Sequence, residues 1–353
     1  MKKYLLLPVA ALTFIAACNN QPQPAAENKP AEVSPSDKEL LENAKAMFPV
    51  LAAVENPDNK VTPEKVALGK MLYYDTRLSK TGNNSCNSCH NLNTFGVDNL
   101  PTSKGDNGKF GTRNSPTSLN AATHEFQFWD GRAKNVEEQA GMPILNPAEM
   151  AMPSKDFVVK KLKGITQYQD MFKAAFPEEK DALTYANLEK AIGAFERTLI
   201  TPSAFDKFLG GDANALTAEE KDGLKQFMSV GCNSCHMGAN LGGNMFQKFG
   251  VYADYRTLTH STIADNGKKD LTKQDLDKDM FKVPGMRNVA KTAPYFHDGS
   301  VADLKEAVKI MGKLQLNKDL SDAQVNAITA FLGSLTADVP ADVKQMPEAL
   351  AQK

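Results

Sequence analysis

The sequence is short of net charge, of long hydrophobic runs, and of cysteine, histidine and tryptophan. Its 41 Lys and Arg stand against 42 Asp and Glu, so no basic field is available to hold nucleic acid. After the first eighteen residues no apolar run is long enough to span a membrane. Strand-like alternation is sparse as well. What remains, 353 residues of which 42% are apolar, suits a soluble globular protein with a full core and room for about two domains.

Scarcity gives the cysteines their weight. Only five Cys and five His occur, yet Cys86-Asn87-Ser88-Cys89-His90 returns letter for letter at Cys232-Asn233-Ser234-Cys235-His236, 146 residues on. At this composition chance yields one such pentad in about one chain in a thousand. Cys-X-X-Cys-His is the attachment site of a c-type haem: two thiols add across the porphyrin vinyl groups, and the adjoining His binds the iron from one face. A Cys pair can also serve zinc or close a local disulfide. Zinc would need a second ligand pair from a separate turn, and a disulfide leaves both His unexplained.

The N-terminus reads as an export signal. Lys2 and Lys3 precede the apolar run Tyr4 to Ile15, too short for a transmembrane helix. Ile15-Ala16-Ala17-Cys18 resembles a bacterial lipobox, which makes residues 1–18 a lipoprotein signal peptide, Cys18 the lipidated residue, and accounts for the odd fifth cysteine. Residues 19–37, rich in Pro, Ala and polar side chains, are expected to form a disordered tether. The working protein then begins near Lys38, outside the cytoplasm, where c-type haem is attached.

Helical punctuation dominates the rest. Thr62 and Pro63 supply an N-cap and a first-turn Pro for a helix running toward Tyr74. Leu188, Ile192, Phe195 and Leu199 share one helical face ahead of Pro202, and a domain boundary is expected just beyond. Thr217 and Glu220 form a capping box before Leu224, Phe227 and Met228. Ser300 is expected to cap a helix with Leu304, Val308 and Met311 on one face, stopped by Gly312; Ser321 with Gln324 opens another, with Val325, Ile328 and Leu332 inward. Segments 91–120 and 238–282, rich in Gly, Asn and Thr, are expected to be loops around cofactors. The repeated pentad and its similar lead-in suggest a duplicated haem module.

Over essentially its whole mature length the chain resembles the bacterial di-haem cytochrome c peroxidases. The resemblance is carried by both pentads, by Phe128-Trp129-Asp130-Gly131-Arg132, by Asn146-Pro147-Ala148-Glu149-Met150, by Arg287-Asn288-Val289-Ala290 leading to Ala293-Pro294-Tyr295-Phe296-His297, and by Met311-Gly312. It implies a mainly α fold with two cytochrome c-like haem domains, long loops and little strand. Residues 38–203 would carry the peroxidatic haem, 204–336 the electron-transfer haem, and 337–353 a tail returning to the first domain.

The resemblance further implies His90 as proximal ligand of the first haem, with Gln139 and Glu149 on its distal side, and His236 with Met311 as axial ligands of the second. Trp129, the only Trp, matches a residue lying between the haems, and Arg287 and His297 match residues at the haem edge. Asn114, Thr292 and Pro294 match a calcium site of oxygen ligands. His124 and His260 are expected in polar loops without catalytic duty. The implied activity is periplasmic reduction of hydrogen peroxide to water, by a homodimer fed by reduced cytochrome c or a small copper protein. Membrane contact would be through the lipid alone. Two rivals are a di-haem electron-transfer cytochrome and a di-haem oxidase acting on a partner protein, which carries Tyr where this chain has Met311.

One departure stands out. Where most members of the family carry a His that caps the peroxidatic iron, the loop Thr102 to Gly108 places Asp106. The expectation is a first haem that is open as isolated; the alternative is His124 or His260 brought to the iron by a rearranged loop.

Overall fold

Thr62 sits in extended conformation and accepts the Lys65 amide with its side chain, and Pro63 opens the helix behind it. Thr217 with Glu220, and Ser321 with Gln324, make reciprocal capping boxes at two more helix starts. The structure, a computed structural model, describes Met1 and residues 35–351. The signal peptide with Cys18, and most of the expected tether, lie outside the described residues.

In chain order the helices are α1 (Pro35–Lys45), α2 (Pro63–Tyr74), α3 (Cys86–Cys89), α4 (Val136–Leu145), α5 (Lys155–Lys163), α6 (Thr166–Ala175), α7 (Tyr185–Glu196), α8 (Ala204–Leu209) and α9 (Ala218–Val230), then α10 (Arg256–Thr259), α11 (Lys269–Thr272), α12 (Leu304–Leu316), α13 (Asp322–Ser334), α14 (Ala341–Lys344) and α15 (Glu348–Ala351). The one sheet among the described residues is a small antiparallel pair, β1 (Phe246–Lys248) and β2 (Met280–Lys282), in which Phe246 faces Lys282. The fold is thus mainly α with little strand. Among the described residues no helix is long and apolar enough to cross a membrane.

The same helix crossing is built twice. In α2 a Cβ added to Gly69 would lie 2.0 Å from the Ala191 carbonyl oxygen on α7; in α9 one added to Gly223 would lie 1.9 Å from the Ala327 carbonyl oxygen on α13. Each contact also brings the glycine against a Phe one turn further on, Phe195 or Phe331. Only glycine lets the two backbones meet this closely. A second repeat follows each pentad. Asn120 and Asn288 both hold a left-handed φ of 60° and both donate through their side-chain amides to Thr201. Phe128 and Phe296, each also left-handed, open matching turns closed by the bridges Gln127 to Ala133 and Tyr295 to Val301. In this repeat Trp129 corresponds to His297 and Pro116 to Pro284.

Two apolar cores follow from the two crossings. The first gathers Leu68, Leu72, Ile144, Tyr168, Phe172, Leu188, Ile192 and Phe195; the second gathers Phe205, Phe208, Leu224, Phe227, Ile328, Phe331 and Leu332. Each fully buried Leu or Phe contributes roughly 1.5–3 kcal/mol. The chain ends cross over. Leu40, Leu41 and Phe48, from α1 and the residues after it, belong to the second core, whereas Val339 and Val343, from the C-terminal segment, belong to the first. The sequence division that starts the first domain at residue 38 therefore misplaces α1: its apolar face and Phe48 fill the gap beside Phe205 and Phe227. Helix α1 also starts at Pro35, inside the expected tether.

Two further helix expectations need correction. The N-cap of α12 is Asp303, which accepts the Glu306 amide, and not Ser300. Nor does Gly312 stop that helix. Its missing side chain makes room for Leu320, and α12 continues to Leu316, ending at the left-handed Asn317.

Candidate active site

Both pentads are single tight turns with their thiols turned inward. In the first, Tyr73 of α2 donates to the His90 carbonyl at 2.6 Å, anchoring the turn to the first core. The His90 Nδ1 lies 2.8 Å from the Pro116 carbonyl, an arrangement that fixes the ring and leaves Nε2 for a metal. In the second, His236 Nδ1 lies 3.1 Å from the Leu241 carbonyl, and Phe227 packs against the imidazole. Burial lowers both histidines, favouring the neutral ring that can ligate.

All four cysteines of the pentads are free thiols, so neither pair closes a disulfide. Burial pushes the Cys86 thiol up, and Cys89 and Cys232 up to about 11. Among the described residues no cluster of three or more His, Cys, Asp and Glu is placed to hold a metal ion. A thiol pair with its adjoining histidine on the wall of each cleft fits thioether attachment of a porphyrin.

The first cleft, about 40 Å³, is lined by Cys86, Cys89, His90, Gln139, Glu149 and Glu196, with Ala140, Pro143 and Met150 on its walls. Helix α4 supplies Gln139, and the turn after it supplies Glu149. Asn146 donates to Glu149 Oε1 at 2.6 Å. Burial raises the Glu149 carboxyl, and the Asn146 hydrogen bond and the charge of Arg132 oppose the rise only in part. A carboxyl whose pKa is raised in a cleft is better able to hold a proton before handing it on.

Glu196 was not singled out in the sequence. It is buried at 6% exposure, its Oε2 has no hydrogen-bond partner among the described residues, and burial together with the neighbouring Glu137 pushes it up to about 8. The periodicity held the signal: Glu196 falls four residues after Ile192 and three before Leu199, on the apolar face itself.

The second cleft is wider, about 250 Å³, and joins His236, Cys232, Cys235, Met311, Trp129, Arg287 and His297 with Asn114, Thr292 and Pro294. Met311 comes from α12. The Arg287 guanidinium is spent elsewhere: it forms a buried pair with Asp206 and donates to the Ala239 carbonyl at 2.9 Å. His297 is buried, stacked on Phe281 at 4.1 Å, with Trp129 edge-on at 6.4 Å. Trp129 Nε1 donates to the Asn114 carbonyl at 2.9 Å, two residues from the Pro116 carbonyl that meets His90. Segment 114–117 thus ties the wall of the second cleft to the histidine of the first.

Asp106 lines neither cleft. Its carboxylate accepts from the Thr81 amide and hydroxyl at 2.7 and 2.8 Å, while its own amide donates to the Glu149 carbonyl at 2.7 Å. Burial alone would raise its carboxyl, but these bonds hold it below the ordinary carboxylate range. Asp106 is a clasp between the loop before the first pentad and the turn that carries Glu149. His260 is exposed at the end of α10. His124 is misplaced by the polar-loop expectation: it lines the second cleft, where its Nδ1 lies 3.1 Å from the Nζ of a buried lysine, Lys282. Neither histidine lines the first cleft.

Comparison with known proteins agrees with this geometry. Residues 63–214 match the family model described as di-haem cytochrome c peroxidase. The cytochrome c551 peroxidase of Nitrosomonas europaea is 46% identical over 297 residues, covering 82% of this chain and 87% of the relative. That of Pseudomonas aeruginosa is 44% identical over 306 residues, covering 85% and 87%. A solved MauG-like protein associated with microbial copper homeostasis superposes with a TM-score of 0.75 at 28% identity, over 85% of this chain and 99% of its own. Two pentad clefts, one mainly α scaffold and relatives aligned across most of their length lead to one conclusion: the chain belongs to the di-haem cytochrome c peroxidase family, whose members carry two c-type haems.

Proposed function

We propose that this chain reduces hydrogen peroxide to two waters at the first cleft, with two electrons supplied one at a time by a small redox protein and two protons taken from solvent. The observation that carries the proposal is the meeting of Gln139 and Glu149 with the first pentad in one cleft. Bound there through Cys86 and Cys89, haem supplies a redox-active iron at which the O–O bond is broken. The protein supplies proton handling. Glu149 takes the proton from the peroxide oxygen nearest the iron and returns it to the departing oxygen, a role its raised pKa suits. Gln139 donates a hydrogen bond that orients peroxide and product water. His90, held by the Pro116 carbonyl, would be the proximal ligand.

In the second cleft His236 and Met311 would ligate a haem iron, Cys232 and Cys235 would be the attachment points, and His297 and Arg287 would lie at the edge of the group. Electrons enter here and leave past Trp129, whose indole is bonded to the segment that holds His90. Oxygens of Asn114, Thr292 and Pro294 would hold calcium beside this path; Asn114 donates from Nδ2 to the Leu100 carbonyl, which leaves its Oδ1 as a donor atom to the ion. A haem held in the first cleft would be open as isolated, because Asp106 is occupied as a clasp and no histidine other than His90 lines that cleft. The enzyme works in the periplasm as a homodimer, tethered by lipid at Cys18, with reduced cytochrome c or a small copper protein as donor.

Glu149→Gln tests the assignment. Both haems should remain, while peroxide turnover falls by about 10²–10⁴, the usual worth of a positioned acid–base group. A variant that turns over at the wild-type rate removes Glu149 from the chemistry.

A further inference from the structure

The second cleft has a charge imbalance that its assigned residues leave unexplained. Its lining includes Lys282 and Arg287 but no Asp or Glu. Arg287 is neutralised from behind by Asp206. Among the described residues nothing neutralises Lys282: it is 5% exposed, its ammonium meets the uncharged acceptor His124 Nδ1 at 3.1 Å, and no carboxylate acts on it. Burial lowers it to about 8, so it remains a cation at neutral pH.

A buried cation without an anion costs several kcal/mol, and proteins keep one where an anion arrives. Three contacts hold this lysine in place. Its amide donates to the Trp129 carbonyl at 2.7 Å, its position is paired with Phe246 across the β1–β2 ribbon, and the His124 ring behind it is confined where side chains at Gly243 or Gly285 would strike it. The porphyrin that this family carries brings two propionate carboxylates, and the vinyl edge is fixed by Cys232 and Cys235.

We propose that Lys282, backed by His124, receives a propionate carboxylate of the haem in the second cleft, and that this pairing raises the midpoint potential of that haem. A cation near the iron disfavours the ferric form, which carries one more positive charge than the ferrous form. Lys282 is thus a positioning residue for electron entry. The inference rests on the second cleft being a haem site, and its test does not use peroxide turnover, so it can fail while the peroxidase assignment stands, and the reverse.

The test has two arms. In a crystal structure of the wild-type holoprotein, Lys282 Nζ should lie within about 3.5 Å of a propionate oxygen of the second haem; a separation beyond about 6 Å overturns the proposal. In a spectroelectrochemical titration, Lys282→Met should shift the second haem's midpoint downward and make it more pH-dependent, as the uncovered propionate takes up a proton. Lys282→Arg should keep the wild-type value. An unchanged second-haem midpoint in Lys282→Met, with both haems attached, contradicts the proposal. If Lys282→Met does not fold, the wild-type distance decides alone.

Discussion

The two clefts share a pentad with its histidine and a scaffold, and differ in the other side chains that line them. The first is narrow and acidic, with Glu149 and Glu196 on its walls and no Lys or Arg; the second is about six times larger, mostly apolar, with Lys282 and Arg287 and no carboxylate. An acidic cleft with raised carboxyl groups handles protons. An apolar cleft with a thioether and a buried cation favours the reduced state of a haem. The repeated glycine crossing gives both halves a common frame, and the side chains that line each cleft set the halves apart.

The frame itself can be broken one half at a time, and this carries the largest expected effect. Gly69→Leu and Gly223→Leu would each drive a side chain into a helix backbone, at a cost of about 3 kcal/mol or more. Gly69→Leu should disturb the absorbance of the first haem first, and Gly223→Leu that of the second. Equal loss of both haems in either variant would show that the two crossings are not separate supports.

Next comes Met311, the proposed ligand that sets the second cleft apart. Met311→His exchanges a soft thioether for imidazole and should lower the second haem's potential substantially while leaving the first nearly unmoved. A redox titration with two unchanged midpoints would mean that another residue ligates that iron.

Glu196 sharpens the contrast through pH. In the folded protein its carboxyl is raised to about 8, whereas unfolded it returns to its ordinary 4.5. Between those values the folded state binds the extra proton, so stability falls as pH rises from about 4.5 to about 8. Glu196→Gln should remove this fall and raise stability at pH 8 by as much as a few kcal/mol, since each tenfold change in proton affinity is worth about 1.4 kcal/mol. Denaturant melts of both proteins at pH 5 and pH 8 measure it; parallel curves would mean that folding leaves the proton affinity of Glu196 unchanged.

The smallest effect belongs to the clasp. Asp106→Ala removes bonds to Thr81 and should cost about 1–3 kcal/mol, with a lower turnover because the Glu149 turn loosens. The deficit in stability should shrink at acid pH, where the low-pKa carboxylate is protonated in the wild type as well. A variant with wild-type melting and turnover would make the clasp incidental.

Much of this was legible in the sequence because the signals were local. The pentads name the cofactor, the capping residues Thr62, Thr217 and Ser321 place three helices, and the family motifs bring Gln139, Glu149, Met311 and Trp129 to the clefts. What escaped was set by tertiary contact. Nothing local tells Lys282 that it will be buried, since a lysine beside Phe281 and Val283 reads as the exposed member of a strand. The end-crossing of α1 and the C-terminal segment depends on which core leaves a gap. Asp106 reads as a missing ligand until its bonds to Thr81 make it a clasp. Glu196 is the intermediate case, since its spacing from Ile192 announced burial while its charge argued against it.

The division of labour between the clefts is tested most directly by adding one electron to the fully oxidised protein and following both haems by electron paramagnetic resonance. The expected result is loss of the signal of the His236–Met311 haem while the His90 haem stays ferric, with an open, high-spin signature that peroxide then changes. Arrival of the first electron at the His90 haem, or two six-coordinate haems indifferent to peroxide, would contradict it.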